Sequence, residues 1–119
     1  MKLLIVDDSK AMRMIVRRAL RQASLGDMTV EEACDGADAL TKLRAQKFDV
    51  VLADWNMPNM NGLQMLQAVK AENLAGHVGF ITSEGTDDIR NLALENGAEF
   101  VIVKPFAPEA LQDALRPIV

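Results

Sequence analysis

Five short apolar runs alternate along the chain with five stretches of helical period. The runs are Leu3 to Val6, Met28 to Ala33, Phe48 to Ala53, Val78 to Thr82 and Phe100 to Val103. Apolar runs of this length, bounded by turn formers, read as strands buried on both faces; in the second run Thr29 and Val30 favour extension. The intervening stretches place apolar residues three and four apart, which predicts helices with one inward face. Those faces are Met12, Ile15, Val16, Ala19, Leu20 and Ala23; then Ala39, Leu40 and Leu43; then Leu63, Leu66 and Val69. The fourth is Ile89, Leu92 and Ala93, and the last Leu111, Ala114 and Leu115. Asp8 or Ser9 can cap the first helix and Thr86 or Asp87 the fourth. Leu25-Gly26-Asp27, Asp35-Gly36, Pro58 to Gly62, Gly76 and Gly97 punctuate the chain, and Pro108 suits a first helical turn. Gly79 is a weak point within the fourth strand.

Regular alternation of strand and helix implies a parallel sheet with helices on both faces, because right-handed crossovers permit little else. The predicted fold is a doubly wound α/β domain with five strands and five helices. In such a sheet every strand end lies on one edge, where open α/β folds carry their chemistry. That edge gathers Asp7-Asp8 after the first strand and Asp54 after the third. The fourth ends in Thr82-Ser83 and the fifth in Lys104-Pro105.

Composition narrows the setting. The 119 residues are 50% hydrophobic and 25% charged, which suits one domain with a real core. No apolar stretch reaches the roughly 18 residues of a membrane span, and the opening Met1 to Val6 meets Asp7-Asp8 too soon for a signal peptide. Cys34 is the only cysteine, so no intrachain disulfide forms and a reducing compartment, the cytoplasm, is expected. A net charge of −4 argues against nucleic acid as the main partner. Neither a linker nor a low-complexity segment divides residues 1–119, which are expected to be a single domain.

Three neighbouring carboxylates repel one another and call for positive charge. Magnesium is the natural answer: it takes oxygen ligands, commonly one or two carboxylates, and leaves positions for phosphate. Lys104 adds a fixed cation and Thr82 a hydroxyl donor, the parts needed to stabilise a transferring phosphoryl group. Asp54 is then the candidate nucleophile, since carboxylates form aspartyl phosphates.

These residues resemble the receiver domain of two-component response regulators, most closely the single-domain chemotaxis type. Asp7-Asp8, Asp54-Trp55-Asn56-Met57-Pro58-Asn59-Met60-Asn61-Gly62, Thr82 and Lys104-Pro105-Phe106 carry the resemblance, which covers essentially the whole chain. It implies the flavodoxin-like strand order 2-1-3-4-5 and phosphate transfer to Asp54 from a histidine kinase. It further implies Mg2+ held by Asp8 and Asp54, by Asp7 largely through water, and by the backbone carbonyl of Asn56. Thr82 and Lys104 would contact the phosphoryl oxygens, a downstream protein would read the result, and the Lys104-Pro105 bond would be cis, as X–Pro bonds allow.

Taken singly, the same residues have plainer readings. Asp7-Asp8 is a helix cap, Thr82 and Lys104 are surface residues, and Asn56 shapes a turn. Only their ordered recurrence at the strand ends favours the site. His77 has no second ligand nearby and reads as structural, Cys34 as a small packing residue, and most of the seven methionines as core filler on helix faces. Lys10, Arg13, Arg17 and Arg21 form a stripe that reads as a solvated helix face, with kinase contact as the sharper alternative.

Two positions depart from the family pattern. Many receivers have an aromatic residue where this chain has Val101; Phe100 lies one residue earlier and so faces the other side of the sheet. Activation is therefore expected to move Thr82 and its loop without an aromatic rotamer change. Asn61 stands where the chemotaxis type has Asp. The chain ends at Val119, so it either works alone by docking or is a piece of something longer. A competing reading is a haloacid-dehalogenase-like phosphatase, but that chemistry needs a second Asp where Asn56 stands. A flavin or nucleotide module would want a glycine- or hydroxyl-rich loop in place of Asp7-Asp8.

Overall fold

Each apolar run becomes a strand because helices cover the sheet on both sides. The computed structural model describes residues 1–119. It contains β1 (Lys2–Val6), α1 (Lys10–Ala23), β2 (Thr29–Ala33), α2 (Gly36–Ala45), β3 (Phe48–Ala53), α3 (Gly62–Glu72), β4 (Ala75–Thr82), α4 (Asp87–Glu95), β5 (Phe100–Val103) and α5 (Pro108–Leu115). Neighbouring strands are all parallel, in the expected order β2-β1-β3-β4-β5. No helix is long and apolar enough to cross a membrane.

Successive strand residues point to opposite faces, which sorts the interior into two layers. Leu4, Val6, Val51 and Ala53 pack with α2, α3 and Ala93 of α4 in a cluster of 19 buried residues. Leu3, Ile5, Val50 and Leu52 meet Val16, Ala19 and Leu20 of α1 and Leu111 and Leu115 of α5 in a cluster of 10. The α1/α5 layer is thus the thinner one. α4 is held most lightly of all, with Ala93 its only buried residue.

Caps decide which acidic residues stay available. The Ser9 hydroxyl accepts from the Met12 N–H at 3.2 Å, and that of Thr86 accepts from Ile89 N–H at 3.3 Å. Each satisfies one of the orphan donors of a helix start. Asp8 is consequently not consumed as a cap and remains exposed at the sheet edge.

Several expectations need correction. Ile15 is 48% exposed and Leu92 39% exposed, because the inward faces of α1 and α4 are narrower than their apolar stripes. α3 ends not at Gly76 but at Asn73, which closes it in the left-handed region at φ 54°; Gly76 lies inside β4, which begins at Ala75 rather than Val78. Cys34 is exposed rather than packed: β2 ends at Ala33, and the Cys34 N–H donates to Asp38 Oδ2 at 3.0 Å. Arg13 and Arg17 are not a solvated stripe. Both pair with Glu32 of β2, at 2.9 Å each. Gly79 proves to be a packing requirement, since a Cβ there would sit 2.2 Å from Cζ of Phe100. His77 pairs through Nδ1 with Glu99, as befits a structural residue.

Candidate functional site

Parallel register brings three strand ends together. Asp7 follows β1, and its N–H donates to Ala33 O of β2 at 3.1 Å; Asp54 follows β3, and its N–H donates to Val6 O of β1 at 2.9 Å. The side-chain oxygens of Asp7, Asp8 and Asp54 lie within 4.8 Å of one another. Asp7 is buried at 4% exposure, and its Oδ1 accepts the Ser9 N–H at 2.9 Å. Asp54 is half-buried, with Oδ1 accepting the N–H of Trp55 at 2.7 Å. Lys104, after β5, reaches across the edge and donates from Nζ to Asp7 Oδ2 at 3.0 Å and Asp54 Oδ2 at 3.4 Å. Its peptide bond to Pro105 is cis.

Thr82 joins the group through the main chain, where Lys104 N–H donates to its carbonyl at 2.8 Å. Its side chain is fully buried, and its hydroxyl oxygen accepts the Glu84 N–H at 3.1 Å. The hydroxyl is therefore bonded to its own loop and not to the carboxylates. Asn56 is exposed in the turn after β3, and its carbonyl accepts no main-chain hydrogen bond.

The turn from Trp55 to Gly62 is built to hold Asp54 still. Trp55 stacks edge-on against Phe80, with ring centroids 5.1 Å apart. Gly62 N–H donates to Trp55 O at 2.8 Å. A Cβ on Gly62 would lie 2.7 Å from Phe80 and 2.9 Å from the Asp54 carbonyl, so only glycine closes the turn this tightly. Asn59, at φ 68°, donates to Asp35 Oδ2 at 3.0 Å and ties the turn to the start of α2.

Burial pushes the Asp54 carboxyl above its ordinary value; Lys104 opposes this and Asp7 adds to it. One lysine therefore does not neutralise the cluster. An all-oxygen donor set with surplus negative charge fits a hard divalent cation. Beside Lys104 runs a groove of ≈ 360 Å³ lined by Met12, Ile15, Ser83, Lys104, Pro105 and Phe106.

Two supports escaped the sequence reading. The Arg13 Nη1–H donates to the Asp7 carbonyl at 2.6 Å while its Nε–H donates to Glu32 Oε1 at 2.9 Å. Burial alone would raise the Glu32 carboxyl, but hydrogen bonds from Arg13 and Arg17 outweigh it and hold the value low. The available signal was a strand acid facing a helix whose arginines recur four apart. The Asp35–Asn59 tie had no comparable signal.

A model of the family described as "Response regulator receiver domain" matches residues 3–116. The chain belongs to that family. It is a receiver of the CheY type, a phosphoacceptor signalling protein rather than an enzyme. The receiver is 39% identical to the chemotaxis protein CheY of Pseudomonas aeruginosa over 120 residues, covering 99% of this chain and 95% of that one. It is 41% identical to chemotaxis protein CheY1 of Helicobacter pylori over 122 residues, covering 100% and 97%. The structure of chemotaxis protein CheY4 of Vibrio cholerae superposes with a TM-score of 0.87 at 34% identity, covering 99% and 98%.

At the departure noted in β5, Val101 is buried in the α2/α3/α4 layer while Phe100 packs on the α1/α5 side. No bulge shifts the register of β5 against β4. Phe100 thus cannot turn into the space beneath Thr82.

Proposed function

We propose that residues 1–119 act as one receiver in which Asp54 takes a phosphoryl group from a histidine kinase in the cytoplasm. The observation that carries this is the carboxylate trio bridged by Lys104 between Asp7 and Asp54. Asp7, Asp8, Asp54 and the Asn56 carbonyl are the residues that would hold Mg2+. Bound there, the ion would neutralise charge on the phosphoryl oxygens.

The chain's own residues account for the rest. An Asp54 oxygen attacks phosphorus of a phosphohistidine; the P–N bond breaks and its electron pair returns to the imidazole. Lys104 can follow the new charge, since its ammonium already sits 3.4 Å from Asp54. The Thr82 oxygen uses a lone pair to accept from Glu84, which leaves its O–H free to donate to a phosphoryl oxygen. Water later cleaves the acyl phosphate and returns Asp54 to its starting state.

Relatives named as chemotaxis proteins make chemotaxis the favoured pathway, with a protein partner reading the phosphorylated state. Trp55, beside Asp54 and 8% exposed, is a built-in reporter. Its fluorescence is expected to change with Mg2+ and again with a small phosphodonor, the second change being lost in Asp54→Asn. A phosphodonor response that survives this substitution refutes the proposal. Phosphotransfer from candidate histidine kinases would then identify the pathway.

A further inference from the structure

Asp7 stands one residue beyond the end of β1, where the ladder no longer supplies a partner for its carbonyl. Its N–H is still fixed by Ala33 of β2. The carbonyl is instead taken by Arg13, whose side chain runs back over the first turn of α1, as helical side chains do. Arg13 is not free to wander. Glu32 Oε1 accepts its Nε–H, and the other oxygen, Oε2, is held by Arg17, whose Nη2–H also donates to the Val30 carbonyl. The chain of contacts is therefore Arg17, Glu32, Arg13 and then the Asp7 carbonyl, running from β2 across α1 to the acidic edge.

We propose that Arg13, oriented by Glu32, is a positioning residue for the cation site: it fixes the peptide carrying the Asp7 and Asp8 carboxylates. This rests on the magnesium reading above. Arg13 bonds the main chain and not a carboxylate of the site, so it sets their geometry without occupying their oxygens. A lysine in its place has one nitrogen on a flexible stem and cannot keep Arg13's two directed bonds together. Outer contacts that orient metal ligands commonly matter tenfold or more to affinity.

The test is a Mg2+ titration of the full chain followed by Trp55 fluorescence, with urea unfolding of the same variants in chelator. Arg13→Ala is expected to weaken Mg2+ binding about tenfold, with Glu32→Gln and Arg13→Lys intermediate. Arg21→Ala serves as the control: it removes a cation from the same helix without touching Glu32 or Asp7 and should stay within about twofold of the native affinity. If Arg13→Ala unfolds, Arg13→Lys and Glu32→Gln decide the matter by the same titration. Native affinity in the Arg13 and Glu32 variants overturns the inference alone, as does an equal loss in Arg21→Ala. A native protein without any Mg2+ response overturns the magnesium reading and this inference with it.

Discussion

Replacing Asp54 by asparagine removes one negative charge while keeping the side chain's shape, and it should make the metal-free protein more stable. The Asp7 and Asp8 oxygens lie within 4.8 Å of those of Asp54. At an effective dielectric constant of about 20, each such repulsion is about 3.5 kcal/mol, or about 7 kcal/mol together. Lys104, 3.4 Å from Asp54, returns about 5 kcal/mol on the same scale. The balance, about 2 kcal/mol, is raised by burial of Asp54 and lowered by solvent screening at exposed Asp8. The expected gain near neutral pH is therefore about 1–3 kcal/mol, or about 4 °C in Tm for each kcal/mol.

The pH dependence should carry the same sign. Burial raises the Asp54 carboxyl above 3.8, with Lys104 opposing and Asp7 reinforcing the shift. The folded state therefore holds its proton to higher pH than the unfolded chain does. The destabilisation by the charged form is absent below 3.8, grows between the unfolded and folded values, and is full above the folded one. Urea unfolding followed by far-ultraviolet circular dichroism, with chelator and then with Mg2+, measures the gap. Chelator should reveal it and Mg2+ should narrow it by stabilising the native protein selectively. A variant no more stable than native in chelator, or a gap that persists below pH 3.8, refutes the reasoning.

Three further outcomes follow from the packing and the caps. Gly79→Ala should lose about 1–3 kcal/mol in denaturant melts, because its Cβ meets the Phe100 ring; adding Phe100→Leu should recover part of that loss. Asp35→Ala should lose about 1 kcal/mol by removing the α2 cap, measured by the same melts. Hydrogen bonds from the Asp38 N–H and from Asn59 hold the Asp35 carboxyl low, so its contribution is present above 3.8 and fades as pH falls through the folded value. Paired crystal structures with and without a phosphate mimic should show the Thr82 loop displaced and Phe100 unmoved; a half-buried Phe100 ring that changes its exposure between the two would contradict activation without an aromatic rotamer change.

The strand ends were legible because each apolar run stops at a chemically distinctive residue, and a parallel sheet aligns those stops whatever the helices do. Asp7, Asp8, Asp54 and Lys104 could thus be grouped from sequence. Thr82 does end β4, as its run implied, but its bond to Glu84 is a property of loop conformation that no spacing encodes. The Arg13–Glu32 contact was missed because it depends on how closely α1 crosses β2, and a helical wheel records only which side a residue faces. Ile15 and Leu92 failed in the opposite way: their spacing is apolar, yet the covering surface ends before it reaches them. Cys34 was misjudged by composition, since small apolar residues are usually buried. Here the strand ended one residue too early.

The light anchoring of α4 bears on how the molecule opens. A helix with one buried residue has little apolar surface to lose when it detaches, so its opening free energy falls at the low end of the range for this domain. Its amides should exchange with solvent by local unfolding, well ahead of those of β1 and β3. The residue that links it to the site, Thr82, is by contrast fully buried at the end of a core strand. The boundary between a slow-exchanging and a fast-exchanging unit therefore falls between Thr82 and Asp87, next to the phosphoacceptor edge. A change of hydrogen-bond partner at Thr82 would act where the chain is least cooperative, and a small shift there can redistribute an ensemble that the rest of the sheet keeps fixed.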